Sequence, residues 1–170
     1  FDSMGTGVTH SLNSSPHYSA RHKSEIQWIN RPIFVNSTVS NISFIIKPVE
    51  SSIYNSLYIY PYENPFPFPI PANHFYSLEY RLPIGFDAIQ DPSWPPVRQG
   101  VYLRYHISFI PHYYNFIYTL QWLVDMHPQT STLNDSSLFV GENYTDYINN
   151  LTFRVNNVSV NGANVSIFRF

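Results

Sequence analysis

The chain contains no cysteine. That removes disulfide staples, thiolate nucleophiles and blue-copper ligation, although it does not fix the compartment, because an oxidising one permits disulfides without requiring them. Charge is also scarce: Asp, Glu, Lys and Arg make up 12% of 170 residues, with a net charge of −2 and only two lysines, Lys23 and Lys47. A typical soluble domain carries about twice that share. Such a surface offers no basic footprint for nucleic acid and no polybasic anchor for a membrane. The longest apolar run, FIYTLQWLVDM, is broken by Thr119 and Gln121 and is too short to span a bilayer.

The usual catalytic signatures are missing as well. There is no P-loop, dinucleotide fingerprint, zinc-protease motif or nucleophile elbow. Seven histidines are scattered along the chain. Only His106 and His112 fall close together across a turn, and no third residue completes a metal site. Carboxylates are few; Glu79 and Glu63 are one pair that distant strands could bring across a cleft, as a glycosidase needs, but nothing selects them over others. The expectation is a protein that is not an enzyme and that holds no metal or cofactor.

What the chain does have is aromatic side chains, 18% of residues, chiefly Tyr and Phe. Aromatic and β-branched enrichment favours strands over helices. The length suits one domain, or one domain plus an arm, and supports a core without staples. The expected fold is all-β: a two-sheet β-sandwich of Ig-like or pilin-like kind over residues 25–170, with an extended N-terminal arm over residues 1–24.

Eight Asn-X-Ser/Thr sequons stand at Asn13, Asn36, Asn41, Asn134, Asn143, Asn150, Asn157 and Asn164 among sixteen asparagines. Chance alone would give roughly three. N-linked glycans are therefore expected, and with them an extracellular, cell-surface location. The bland alternative is an Asn-rich protein whose loops are full of Ser and Thr. The C-terminal segment argues for the sugars on separate grounds. Asn161-Gly162 is the preferred pair for a two-residue type I′ turn. It would set Val160 opposite Ala163, Ser159 opposite Asn164, Val158 opposite Val165 and Asn157 opposite Ser166. Val158, Val160, Ala163 and Val165 then share an inner face, while Asn157 and Asn164 point to solvent, as glycan carriers must.

Further strands follow from period-two alternation. Ile42, Phe44 and Ile46 share a face before Pro48 ends the strand. In SIYNSLYIYPY, Ile53, Leu57 and Ile59 oppose Tyr54, Tyr58, Tyr60 and Tyr62, a tyrosine stripe that reads either as a contact surface for sugar or protein or as a face packed under a neighbour. ENPFPFPIPAN has proline at every second position and reads as a stiff connector. Tyr76, Leu78, Tyr80 and Leu82 point inward. A long loop then carries Trp94. Val101, Leu103, Tyr105, Ile107 and Phe109 oppose Tyr102, Arg104, His106 and Ser108; Tyr114, Phe116, Tyr118, Leu120, Trp122 and Val124 form the next apolar face. These last two are expected to be the central strands, with a helix over 114–126 as the competing assignment.

The arm also alternates. Met4, Thr6, Val8, His10 and Leu12 fall on a bulky face opposite Ser, Gly and Thr, which suits insertion into a groove, with Met4, Val8 and Leu12 as its apolar contacts. A disordered terminus is the other reading. A targeting segment is expected to have preceded Phe1. Lys47 lies between Ile45, Ile46 and Val49; burial there would favour the neutral amine, and Lys47, or Lys23 in its place, is a possible donor for an isopeptide cross-link. Most lysines at strand ends simply reach for solvent.

In its layout the whole chain resembles the thread-type pili of thermoacidophilic archaea: an alternating arm from Met4 to Leu12, a cysteine-free Tyr/Asn/Ser-rich body, and sequons from Asn36 to Asn164. No short motif carries the likeness. It implies a glycosylated β-sandwich subunit of an extracellular filament, joined head to tail to identical subunits by donor-strand complementation and by isopeptide bonds, for adhesion or cell-cell contact. The alternative function is a secreted carbohydrate-binding or cell-surface glycoprotein module that contacts surface glycans through the tyrosine stripe or Trp94.

Overall fold

The computed structural model describes residues 33–35, 40–50, 57–60, 73–82, 100–109, 118–130 and 135–170. They form nine strands: β1 (Ile33–Val35), β2 (Ile42–Ile46), β3 (Leu57–Ile59), β4 (Asn73–Arg81), β5 (Gly100–Phe109), β6 (Tyr118–Leu123), β7 (Asn143–Asp146), β8 (Leu151–Ser159) and β9 (Gly162–Arg169). Among the described residues there is no helix. The strands make two sheets, ordered β1-β3-β4-β5-β6 and β2-β9-β8-β7. Every pairing is antiparallel except β1 with β3. The all-β sandwich expected from composition and alternation is the fold observed.

The core fills the space between the sheets. The first contributes Leu57, Ile59, Tyr76, Leu78, Tyr80, Val101 and Leu103; the second contributes Ile46, Leu151, Phe153, Val155, Ala163, Val165 and Ile167, all within one cluster. Fully burying a side chain such as Phe153 or Leu103 contributes about 1.5–3 kcal/mol. Polar ties also cross between the sheets: Tyr80 Oη donates to the Ser159 carbonyl at 3.0 Å, Arg169 Nη2 to the Tyr60 carbonyl at 2.8 Å, and Val49 N to the Tyr80 carbonyl at 2.9 Å.

Two expectations need correction. The C-terminal hairpin turns at Val160-Asn161, with Ser159 opposite Gly162, Val158 opposite Ala163 and Asn157 opposite Asn164. Of the Asn-Gly pair only Gly162 has positive φ, at +148°, and a Cβ there would lie 2.8 Å from the Ile46 carbonyl. Close passage of β2 thus sets the need for glycine. Val160 sits in the turn, 76% exposed. Relative to the expected pairing the partner strand is displaced by two residues, which preserves faces because side chains alternate with period two. A bulge between Val155 and Asn157 then reverses the phase, so Val155 lies opposite Val165 and Phe153 opposite Ile167.

The second correction concerns β6. Among the described strands it pairs only with β5 and stands at the edge of its sheet, and the central pair is β4 with β5. Leu120 and Trp122, expected inward, are 48% and 47% exposed. The strand assignment itself holds over Tyr118–Leu123, against the competing helix.

Candidate functional site

Three surfaces compete for attention, and the first is the outer face of the second sheet. Ser43, Ile45, Asn143, Thr145, Thr152, Arg154, Asn157, Asn164, Ser166 and Phe168 alternate with the core residues and fall on that face. Of the sequon asparagines, Asn41, Asn143, Asn150 and Asn157 are exposed and Asn164 is half-buried. Asn41 and Asn150 occupy loops with positive φ, 38° and 52°, a conformation asparagine accepts more readily than most residues. Asn157 and Asn164 are direct cross-strand neighbours. The bulged Asn156 donates from Nδ2 to Asn164 Oδ1 at 3.1 Å and to Ser166 Oγ at 2.7 Å. All five described sequon asparagines therefore belong to, or border, one sheet.

The outer face of the first sheet is of another kind. Phe75, Ser77, Glu79, Arg81, Tyr102, Arg104, His106 and Ser108 are all buried. Glu79 Oε1 accepts from Arg81 Nε and Arg104 Nε, each at 3.1 Å, joining three ionic side chains out of water. Ser77 Oγ meets His106 Nε2 at 2.7 Å, and the His106 ring stacks on Phe75 at 4.5 Å. Tyr58 lies in the same layer, 1% exposed, against Phe75 and His106. At this position the tyrosine stripe is a packed face and not a contact surface.

The third surface is an open cleft of about 370 Å³ where β6 and β7 bring the two sheet edges together. Tyr76, Tyr105, Trp122, Val124, Tyr144 and Ile148 line it, with Asp146 and Asn149. The tyrosine and tryptophan rings run in sequence across the strands, Tyr76 to Tyr105 at 5.2 Å and Tyr105 to Trp122 at 6.4 Å. Asp146, at the end of β7, folds the following turn around its carboxylate. Its Oδ1 accepts from Ile148 N at 3.0 Å and Asn149 N at 3.2 Å, while Oδ2 accepts from Tyr76 Oη at 2.5 Å and Asn149 Nδ2 at 2.6 Å. Burial, and then the Asp146 charge, push the Tyr105 hydroxyl up to about 12 and raise those of Tyr76 and Tyr144. All three phenols stay neutral at physiological pH.

Beside the cleft, His127 fastens the loop after β6 to the approach to β7. Its Nδ1 meets the Asp135 carbonyl and its Nε2 meets Glu142 Oε1 at 3.3 Å, while Glu142 Oε2 accepts from Phe139 N at 2.7 Å. Burial opposes charge on the ring, but the Asp135 carbonyl and the Glu142 carboxylate outweigh it, so the imidazole is held above its ordinary value.

Comparison with protein-family models, curated proteins and solved structures finds no match for this chain. Met4, Val8, Leu12, Asn13, Lys23, Asn36, Glu63, Trp94, His112 and Asn134 lie outside the described residues, as does the proline-rich connector. Lys47 is half-buried, and its Nζ donates to the Asn161 carbonyl at 2.9 Å. Glu79 accepts from two arginines, and Glu63, its candidate partner, lies outside the described residues. Sequence reasoning overlooked Asp146 and Asn149, although Asp-X-X-Asn after a strand is a recognisable side-chain-to-backbone turn signal.

Proposed function

We propose that this chain is the repeating subunit of an extracellular, N-glycosylated filament, in which the N-terminal arm of one copy completes the sandwich of the next. The observation that supports this reading best is a segregation. The described sequon asparagines gather on or beside the second sheet, whereas the β6 edge of the first sheet presents half-exposed Leu120 and Trp122 and no sequon. A filament subunit needs such a division, since bulky sugars must be kept off the surfaces that join copies.

A strand at the edge of a sheet with exposed apolar side chains is a template for pairing with another chain. The arm's alternating segment, about 12 residues at roughly 3.4 Å each, reaches about 40 Å, long enough to run beside β6. Burying Met4, Val8 and Leu12 would add about 2 kcal/mol apiece to the ladder hydrogen bonds. Head-to-tail repetition of this contact does not close on itself and so produces a thread. Electron microscopy of the full chain and of a variant lacking residues 1–13 tests the reading. Threads are expected from the first and only monomers or amorphous aggregate from the second; normal threads from the truncated protein would overturn the arm's role.

A further inference from the structure

The cleft between β6 and β7 contains a negative charge that no described cation answers. Asp146 is 9% exposed, and its four hydrogen-bond donors are a phenol, a carboxamide and two backbone N–H groups, all neutral. Among the described residues no Lys, Arg or His forms an ion pair with it. Neutral donors fill the acceptor sites of this carboxylate and lower the cost of burying it, but they leave its charge uncancelled at the wall of the cleft. That space is walled by aromatic rings, whose faces carry negative potential and attract cations. A second observation points the same way. Asn149 lines the cavity, is 6% exposed, and its Oδ1 acceptor has no hydrogen-bond donor.

We propose that this cavity binds an organic cation, an N-alkylated ammonium or guanidinium head group, with Trp122, Tyr105 and Tyr144 around it and the Asp146 carboxylate beneath. The volume of about 370 Å³ falls within the usual range for small-ligand pockets. In the isolated subunit Trp122 stands 47% exposed at the entrance, so a ligand can reach the site without opening the core. A bare inorganic cation fits poorly, because the lining offers alkyl and ring surface rather than the oxygen cage that a hard ion needs. The alkyl groups of an organic cation match that lining while its charge meets the carboxylate. The cation has two possible sources: a free small molecule, or the basic segment Arg21-His22-Lys23 of a second copy.

Calorimetric titration of the full chain tests the site with three probes: choline, its uncharged isostere 3,3-dimethylbutan-1-ol, and the peptide corresponding to residues 19–25. Saturable choline binding is expected, at least tenfold tighter than that of the isostere, and weakened at least tenfold in both Trp122→Ala and Asp146→Asn. Equal binding of the isostere would overturn the proposal, reducing the cavity to an apolar recess. So would failure of both choline and the peptide to bind. If the peptide displaces choline, the head group is supplied by a neighbouring copy; if choline binds and the peptide does not, the ligand is a free cation. Should Asp146→Asn not fold, the isostere comparison and the partly exposed Trp122→Ala variant decide the matter between them.

Discussion

The outer faces of the two sheets obey the same alternation and meet opposite fates. On the second sheet the outward positions are mostly small and polar, Ser43, Thr145, Thr152, Asn157 and Asn164, with Ile45, Arg154 and Phe168 among them. On the first they are large and often ionic: Phe75, Glu79, Arg81, Tyr102, Arg104, His106. The former face is largely open and the latter is buried. An outward-pointing polar residue thus has two fates, and alternation alone does not separate them. A sheet face that is buried needs partners to satisfy its charges, whereas an open face is solvated by water.

The sharpest way to break this contrast is Glu79→Ala, which removes the buried carboxylate that accepts from both Arg81 and Arg104. A loss of about 3–5 kcal/mol in denaturant unfolding is expected, against no more than about 0.5 kcal/mol for Arg154→Ala on the open face. Similar small losses at both positions would mean that the first sheet's outer face is not sealed. Leu103→Ala, in the core shared by the sheets, should cost about 2–5 kcal/mol and calibrates the comparison.

Asn156→Ala tests the second sheet from within. Losing its bonds to Asn164 and Ser166 should cost about 1 kcal/mol and leave the inner face intact, since the phase change is set by which residues are apolar. A smaller effect is expected at His127, whose imidazole favours charge in the folded state. Its contribution is complete below the ordinary histidine value of about 6.5 and fades as pH rises through the raised folded value. His127→Gln should therefore lose up to about 1 kcal/mol at pH 5.5 and almost nothing at pH 8.5; identical unfolding midpoints at both pH values would rule the clasp out. Smallest in energy is Asn157→Gln. No change in stability is expected, but glycopeptide mass spectrometry should show one glycan fewer on the open face.

Much of this architecture was readable before folding was considered. Composition points to strands, and the inward sets Tyr76-Leu78-Tyr80-Leu82 and Val101-Leu103 appear as plain alternation. The phase change in the C-terminal hairpin is also written there: Leu151, Phe153 and Val155 are odd-numbered, then Val158 is even, with an Asn pair between. Asn161-Gly162 misled because a turn signal is local, while the close approach of the Ile46 carbonyl to Gly162 comes from a strand more than a hundred residues earlier. For the same reason the cleft could not be anticipated. Tyr76, Trp122 and Asp146 belong to three strands in two different sheets.

The sequence by itself determined the strand content, the inward face of most strands and the positions available to sugars, because these depend on neighbours two residues apart or on a three-residue pattern. Only tertiary structure decided which polar face is sealed, which strand becomes the edge, and that an aspartate ends up beneath an aromatic wall. Those outcomes depend on the order in which strands pair and on what packs across them, and a local alternation carries no information about either.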